Sequence, residues 1–143
     1  MAANQGTINR YRGSISFPDH PELNIVPNSM GKEMITITFQ GEIVHAIPTA
    51  TGLVTSPEPY QIVEFSADVL RSIGIGDLFK KRIEKLGTMG DAVIRSDAST
   101  MSDYNFFNTS IKSVDPVKQD GSTATQTIHF QGYYPINQDL YNV

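Results

Sequence analysis

The stretch Met34-Ile35-Thr36-Ile37-Thr38-Phe39 shows the strongest short-period pattern in the chain, with apolar and polar side chains in alternation. The two isoleucines and the phenylalanine fall on one face of an extended segment, and the two threonines fall on the other. This period of two predicts a half-buried β-strand, which the following Gln40-Gly41 interrupts.

A near copy of this pattern occurs 91 residues later. The segment Thr36-Ile37-Thr38-Phe39-Gln40-Gly41 returns as Thr127-Ile128-His129-Phe130-Gln131-Gly132. Both copies join an alternating strand to a glycine, as expected where a strand ends at a bend or carries a bulge. Six residues are too few to show a duplicated fold, because two equivalent positions in one sheet that need the same bend explain the echo equally well.

Similar patterns predict further strands along the chain. They are extended or rich in β-branched and aromatic residues. Asp115-Pro116 marks a strand end, and Gln119-Asp120-Gly121-Ser122 marks a hairpin turn. With the first strand they make about seven, the others being 8–17, 42–47, 60–67, 90–95, 104–114 and 123–134.

One helix is predicted between Asp77, as an N-cap carboxylate, and Gly87, as a left-handed residue at the C-terminus. Phe79, Ile83 and Leu86 recur at i, i+4 and i+7 and form one apolar stripe. The cations of the segment are assigned to its solvated face: Lys80, Lys81, Arg82 and Lys85. About seven strands and one helix predict a mainly β fold, an antiparallel β-sandwich or barrel with one packed α-helix.

Residues 48–59 are predicted to form a long exposed loop or arm. The segment is rich in Thr, Ala, Gly and Ser, contains Pro48, Pro57 and Pro59, and is longer than a hairpin turn of a compact domain needs. Leu53 and Val54 are its apolar pair, and we expect them to contact another subunit. The alternative is a floppy surface loop with two incidental apolar residues.

Composition limits the function classes. The 143 residues fit a single domain, 1–143, and 11 Lys and Arg against 15 Asp and Glu give a net charge of -4, without the basic footprint of a phosphate-backbone binder. The absence of cysteine excludes disulfides, thiolate catalysis and cysteine zinc sites. Because the chain lacks a long apolar run and a signal-peptide pattern, we expect no membrane association and folding in the cytosol.

No motif points to catalysis. His20, His45 and His129 are far apart in sequence and follow no metal-ligand spacing, and no nucleophile elbow or Walker loop is present. Gly74-Ile75-Gly76 resembles a fragment of a dinucleotide-binding fingerprint, but Phe79 stands where the third glycine is needed. We therefore expect no enzymatic activity, no cofactor and no metal.

The chain resembles bacteriophage tail tube proteins, especially those of contractile tails, in its order of strands, long loop, helix and C-terminal hairpin. The most specific stretches are Lys81-Arg82-Ile83-Glu84-Lys85-Leu86-Gly87-Thr88-Met89-Gly90-Asp91, Asn108-Thr109-Ser110-Ile111 and His129-Phe130-Gln131-Gly132-Tyr133-Tyr134-Pro135-Ile136-Asn137. The resemblance implies a structural virion protein: hexameric rings that stack into the inner tail tube, assembled in the cytoplasm of the host bacterium. Implied partners are sheath, baseplate and tape-measure proteins, and the same fold occurs in baseplate or hub proteins and in secretion-system tubes.

Such a tube would pass DNA without specific binding, so its bore should repel phosphates. Among the predicted strands, Glu42, Glu64 and Asp91 are the candidate channel-lining residues, and the alternative is that they only solubilise the outer surface. A different class, a small-ligand-binding β-barrel, would instead close an apolar cavity within one chain. A stable monomer in solution would favour that alternative.

Overall fold

The computed structural model describes residues 12–71, 74–97 and 102–140. Within them the chain forms eight strands and one α-helix, and two single-turn 3₁₀ helices follow the first strand at Pro21–Leu23 and Pro27–Ser29. The predicted fold class is confirmed: mainly β and antiparallel, with one packed helix. The elements are β1 (Gly13–Ser16), β2 (Met30–Gln40), β3 (Val44–Pro48), β4 (Leu53–Pro57), β5 (Tyr60–Leu70), α1 (Ile75–Lys85), β6 (Thr88–Ser96), β7 (Tyr104–Val114) and β8 (Thr125–Pro135).

Six strands form one antiparallel sheet in the order β1-β6-β7-β8-β5-β2, and β3 and β4 form a separate hairpin. Four neighbouring strands, β7, β8, β5 and β2, have 11 residues each, or roughly 37 Å of extended chain. The sheet curls into a half-barrel that brings its two edges together: a β-carbon at Gly13 of β1 would lie 3.1 Å from Cδ1 of Ile35 in β2.

Aromatic rings fill the packed face of this sheet. Phe130 of β8 stacks on Phe65 of β5 at 5.0 Å between ring centroids, and contacts Phe79 of α1 and Phe17 at 5.6 Å each. The helix thus lies on the packed face, and Ile75 and Phe79 are its buried residues. Because buried aromatic rings contribute both area and ring-to-ring contacts, this cluster is the centre of the core.

The two echo segments lie on either side of β5. Ile37 of β2 and Phe130 of β8 both pair with Phe65, so the two copies are offset by two residues rather than related by symmetry. Gly41 ends β2 with a φ of 86°, as predicted for a bend. Gly132 lies inside β8, and the irregularity beside it is in β7, whose register shifts between Phe107 and Ser110.

The ends of the helix differ from the prediction. The N-cap is Gly74, with a φ of 82°, where glycine avoids the steric penalty of the left-handed region. Asp77 lies in the first turn instead, and its carboxylate is 3.2 Å from Nζ of Lys81. At the other end, Leu86 is the C-cap in an extended conformation, so Gly87 does not supply a left-handed cap.

The predicted apolar stripe of α1 is only half buried. Phe79 enters the core, but Ile83 and Leu86 stay exposed, because the helix touches the sheet mainly through its first half. Arg82, assigned to the solvated face, is half-buried and donates a hydrogen bond from Nη2 to the Thr88 carbonyl. Lys80, Lys81 and Lys85 are exposed, as predicted.

The N-terminal strand is shorter than predicted within the described residues. Residues 8–11 of the predicted strand lie outside them, and β1 covers Gly13–Ser16 alone. Ile15 pairs with Ile94 of β6 and also bridges Ile25, and the main chains of Ile15 and Ile25 exchange two hydrogen bonds of 2.9 Å. Both isoleucines are fully buried, which anchors this edge of the sheet to the core.

Candidate assembly surfaces

The predicted arm is an exposed β-hairpin. Its strands β3 and β4 pair antiparallel from Val44 opposite Pro57 to Pro48 opposite Leu53. The prediction of an irregular loop beginning at Pro48 is wrong, because the arm begins at Val44 and half of the loop is strand. Within the described chain, β3 and β4 pack extensively only against each other. An isolated two-stranded hairpin is marginal in water, so this one gains stability from any partner that covers it.

Leu53 and Val54 lie on this hairpin and are 62% and 52% exposed. As neighbours in one strand they point to opposite faces. Val54 pairs with Ile47, and Leu53 pairs with Pro48, so each face of the hairpin carries an apolar pair. The sequence predicted a strand at 42–47, which β3 confirms, but it did not indicate that this strand pairs with the arm. The hairpin is therefore an apolar surface on both sides.

Hydrogen bonds fix the hairpin to the body of the protein. The side-chain amide of Asn137, which follows β8, donates to the carbonyls of Ile43 and Glu58, at 3.0 and 2.7 Å. Gln61 of β5 is buried and donates from Nε2 to the Gly41 carbonyl at 3.1 Å. These bonds join the two segments that lead into and out of the hairpin. The hairpin consequently projects from an anchored base.

Glu42 lies at this base and outside the six-stranded sheet. Its carboxylate is 2.7 Å from Nδ1 of His45, and both side chains are exposed. Asp91 lies on β6, where its carboxylate accepts a long hydrogen bond, 3.5 Å, from the backbone N–H of Asn108. Two strands, β7 and β8, separate β6 from the strand that carries Glu64. The structure does not bring the three predicted acids together.

Glu64 lies on the face of the sheet opposite the core, which we call the outer face. Lys112 donates a hydrogen bond to the Glu64 carboxylate, and this bond lowers the pKa of Glu64. A hydrogen bond from Gln40 lowers the pKa further, and desolvation opposes the shift in part. On the same face, Nε2 of His129 lies 2.7 Å from the Asp115 carboxylate. Cross-strand pairing places further polar residues around Glu64: Thr36, Thr38, Ser66, Thr127 and Gln131.

One end of the outer face is aromatic rather than polar. Tyr133 of β8 contacts Tyr60 of β5 at 6.0 Å and Phe107 of β7 at 5.8 Å between ring centroids. Ile62 pairs with Tyr133 and is exposed. This patch adjoins the base of the hairpin, because Tyr60 follows the residues that anchor it. No sequence pattern predicted this patch.

A groove lies at the other end of the sheet, between α1 and the connection from β7 to β8. We call it the α1 groove. It has a volume of about 610 Å³. Its apolar wall is formed by Phe79, Ile83, Val114, Val117 and Ile128, and its polar lining by Arg71, Gly76, Asp77, Lys80, Glu84, Gln119 and Gln126.

The histidines each lie beside one carboxylate. His20 is 3.8 Å from Glu22, and His45 and His129 have the partners given above. Across residues 12–71, 74–97 and 102–140, no three His, Asp or Glu side chains gather as a metal site would require. No helix in these ranges has the length and apolar character needed to cross a membrane.

No protein-family model matches the chain, and no curated protein matches it either.

Proposed function

We propose that the chain is a structural subunit of hexameric rings that stack to form the inner tube of a phage tail. The observation that carries the proposal is the pairing of two surfaces in one subunit. Four adjacent 11-residue strands present an outer face that is polar around Glu64 and aromatic at one end. An anchored apolar hairpin projects from the same body. A tube needs both a solvent-facing surface to line its channel and contacts between its subunits.

The outer face supports this proposal as a wall for a channel. Side chains opposite the core alternate with buried ones along β5, from exposed Ile62 and half-buried Glu64 to half-buried Ser66. A sheet with one packed and one wet face is typical of antiparallel architectures in contact with water. Although β1 and β2 approach each other in the half-barrel, they are not hydrogen-bonded neighbours. Joining such sheets side by side in a closed ring would cover these two edges, which otherwise invite uncontrolled pairing.

The charges support passage of DNA without retention. The Glu64 carboxylate is ionised near neutral pH, and the hydrogen bond from Lys112 on the same face lowers its pKa further. Lys112 is therefore already bonded to a carboxylate. Contacts between phosphates and free cations would add affinity that depends on salt, repeated in every ring. The exposed cations Lys80, Lys81 and Lys85 stand on α1, which covers the opposite, packed face.

In this proposal Glu64 and Asp91 line the bore, with Glu42 at the base of the hairpin near one rim. Leu53 and Val54 form the contact between subunits. Sheath, baseplate and tape-measure proteins are the partners, and the protein is part of the virion after assembly in the host cytoplasm. A baseplate or hub role would use the same ring without long stacking.

A second candidate, a small-ligand-binding barrel, is favoured by the apolar wall of the α1 groove. Its volume, about 610 Å³, is within the range of small-molecule pockets, roughly 300–1,000 Å³. Native mass spectrometry separates the two candidates. The tube proposal predicts a species of six subunits of 15.8 kDa each, or multiples of six. A monomer at every concentration would favour the ligand-binding barrel.

A further inference from the structure

We infer that protonation of His129 weakens the repulsion between the outer face and DNA phosphate, so that the lining of the proposed bore responds to pH. The inference rests on the proposed function, because it concerns the face that would line the bore. It adds a form of regulation: DNA meets the strongest repulsion at neutral and alkaline pH, and a weaker repulsion in acid.

His129 lies on the outer face, in the interior of the sheet. It belongs to β8, and cross-strand pairing places Ser66 of β5 on one side and Ser113 of β7 on the other. Nε2 of His129 is 2.7 Å from Oδ1 of Asp115, the residue that follows β7. The side chain of His129 is 37% exposed. Because water reaches the imidazole, it can exchange a proton with the solvent, and the carboxylate accepts a hydrogen bond from its protonated form.

Four charged side chains face His129 from the flanking strands and from the connection between β7 and β8. They are Glu64 and Asp68 of β5, Lys112 of β7, and Asp115 of the connection. The nearest outer-face residues of β8 itself, Thr127 and Gln131, carry no charge. We call His129 and the four charged residues the outer-face cluster.

The net charge of the outer-face cluster depends on the protonation of His129. With a neutral imidazole, three carboxylates and one ammonium group give a net charge of -2. Histidine is the side chain whose charge ordinarily changes between pH 5 and 8. Protonation of His129 therefore brings the net charge of the cluster to -1, so that half of the negative charge is lost and the cluster stays negative.

The members of the cluster are close enough to influence one another. The pKa of Glu64 is lowered first by the hydrogen bond from Lys112, and the charge of His129 lowers it as well. Asp68 accepts a hydrogen bond of 3.3 Å from the hydroxyl of Thr127, which lies on the same strand as His129. Because charges within about 8 Å are only partly screened at physiological salt, an approaching phosphate meets the charge of the whole cluster.

Acid weakens the repulsion without creating a site that binds phosphate. Lys112 remains bonded to Glu64, and a protonated His129 has the Asp115 carboxylate beside it. Each cation of the cluster is thus already paired with a carboxylate, whereas a salt-dependent contact with phosphate needs a free cation. In the proposed ring, the bore loses one unit of negative charge for every subunit.

The other two histidines do not lie on this face. His45 is beside Glu42 at the base of the hairpin. His20 lies in the connection after β1, 3.8 Å from Glu22. Neither belongs to a strand of the six-stranded sheet. The pH response of the outer face is therefore assigned to His129.

A single introduced cysteine measures the electrostatic potential beside His129, because the natural chain has no cysteine. Ser66→Cys places a thiol directly opposite, with about 5 Å between the β-carbons. The thiol is modified by an anionic reagent and by an uncharged reagent with the same reactive group, and the ratio of the two rates cancels the ionisation of the thiol itself. From about pH 8 to about pH 5, this ratio should rise about threefold, which is the effect in water of one unit charge at about 6 Å.

Two variants of the Ser66→Cys protein test the assignment. His129→Gln should make the ratio independent of pH. Asp115→Asn removes a carboxylate but keeps the histidine, so the ratio should be higher at both ends of the pH range and should still rise in acid. Asn105→Cys, in a chain that keeps Ser66, is the distant control. It is an exposed residue of β7, roughly 25 Å along the strand from Ser113, and its ratio should stay constant. Thermal melting establishes that every variant is folded.

Assembled tubes test the effect on DNA. The same acidification should increase the association of a short DNA duplex with unmodified tubes more than with His129→Gln tubes. The cations on the helix are the same in both kinds of tube, so their contribution cancels in the comparison. High salt should remove the difference, because it screens the charge of the cluster.

The outcomes separate this inference from the tube proposal. A constant ratio at Ser66→Cys, a rise that survives His129→Gln, or an equal increase of DNA association with both kinds of tube would overturn the inference and leave the tube proposal in place. If the ratio rises as expected but no rings form, the pH response of the outer face stands and the tube proposal is wrong.

Discussion

Replacing Phe130 with alanine should destabilise the fold much more than replacing Phe39, although the two residues occupy matching positions in the echoed segments. Phe130 is 0% exposed and contacts the rings of Phe17, Phe65 and Phe79. Phe39 also contacts three rings, those of Tyr104, Phe106 and Tyr134. It lies on the edge strand β2, however, and is 39% exposed. The same substitution therefore leaves an enclosed cavity at one site and an open surface at the other.

The magnitudes follow from burial. Phe→Ala in a close-packed core costs about 3–5 kcal/mol, because the lost transfer free energy and the cavity add. Full burial of a Phe side chain contributes about 1.5–3 kcal/mol to stability. Because only about six-tenths of Phe39 is buried, Phe39→Ala should cost about 1–2 kcal/mol. The expected gap of about 2 kcal/mol corresponds to a roughly 30-fold difference in the unfolding equilibrium constant.

Urea unfolding of the two variants and the unmodified protein measures this gap, provided that all three have the same m-value. Each measurement should be made under conditions that keep the protein dissociated, because assembly would stabilise the folded state by mass action. Phe130→Leu, which keeps most of the volume, should recover more than half of the loss. Equal losses for Phe130→Ala and Phe39→Ala would refute the assignment of β8 to the centre and β2 to the edge of the sheet.

Three further outcomes are expected. Gly132→Ala should lower the free energy of unfolding, followed by thermal melting, by about 1–3 kcal/mol, because its β-carbon would lie 2.8 Å from Cγ2 of Thr109 and 3.1 Å from the carbonyl oxygen of Phe107. The control is Gly52→Ala, whose β-carbon meets no other atom and which should be neutral. Equal melting temperatures for the two variants would contradict this. Lys112→Met should raise the pKa of Glu64, measured by carboxyl NMR. The pKa of Glu64 is lower in the folded state than in the unfolded state, where it is about 4.3. The stability that Lys112 adds is therefore present above the unfolded pKa and disappears as the pH falls through the folded pKa. A difference in stability between Lys112→Met and the unmodified protein that persists at pH 2 would argue against this pairing. Leu53→Ala with Val54→Ala should weaken subunit association about 30-fold in sedimentation, because burial of each side chain at the interface contributes about 1 kcal/mol to association. Thr55→Ala is the control. Unchanged sedimentation would count against the hairpin as an interface.

The sequence was sufficient to predict the strands whose two faces differ. Along β5 and β8, apolar and polar residues alternate because one face meets the core and the other meets water. The prediction failed at β4, where both faces are exposed and no alternation exists to be detected. It also failed at the helix, because Asp77 has the chemistry of an N-cap, but the chain enters α1 one turn earlier through Gly74.

Burial that depends on distant neighbours could not be predicted. Phe39 and Phe130 have nearly the same local sequence, and their exposure differs because β2 lies at the sheet edge while β8 lies inside it. Leu53 and Val54 were predicted to be exposed on the arm and are exposed. The α1 groove is assembled from segments far apart in the chain, so no local sequence pattern could predict it.

Electron microscopy of the purified protein at high concentration tests the central claim most directly. We expect rings with six-fold symmetry that stack into hollow tubes, with the outer face of the sheet, including Glu64, lining the bore. Solid particles, or rings whose bore is lined by the helix cations Lys80, Lys81 and Lys85, would contradict it. A field of monomers, even with other tail components added, would contradict it as well.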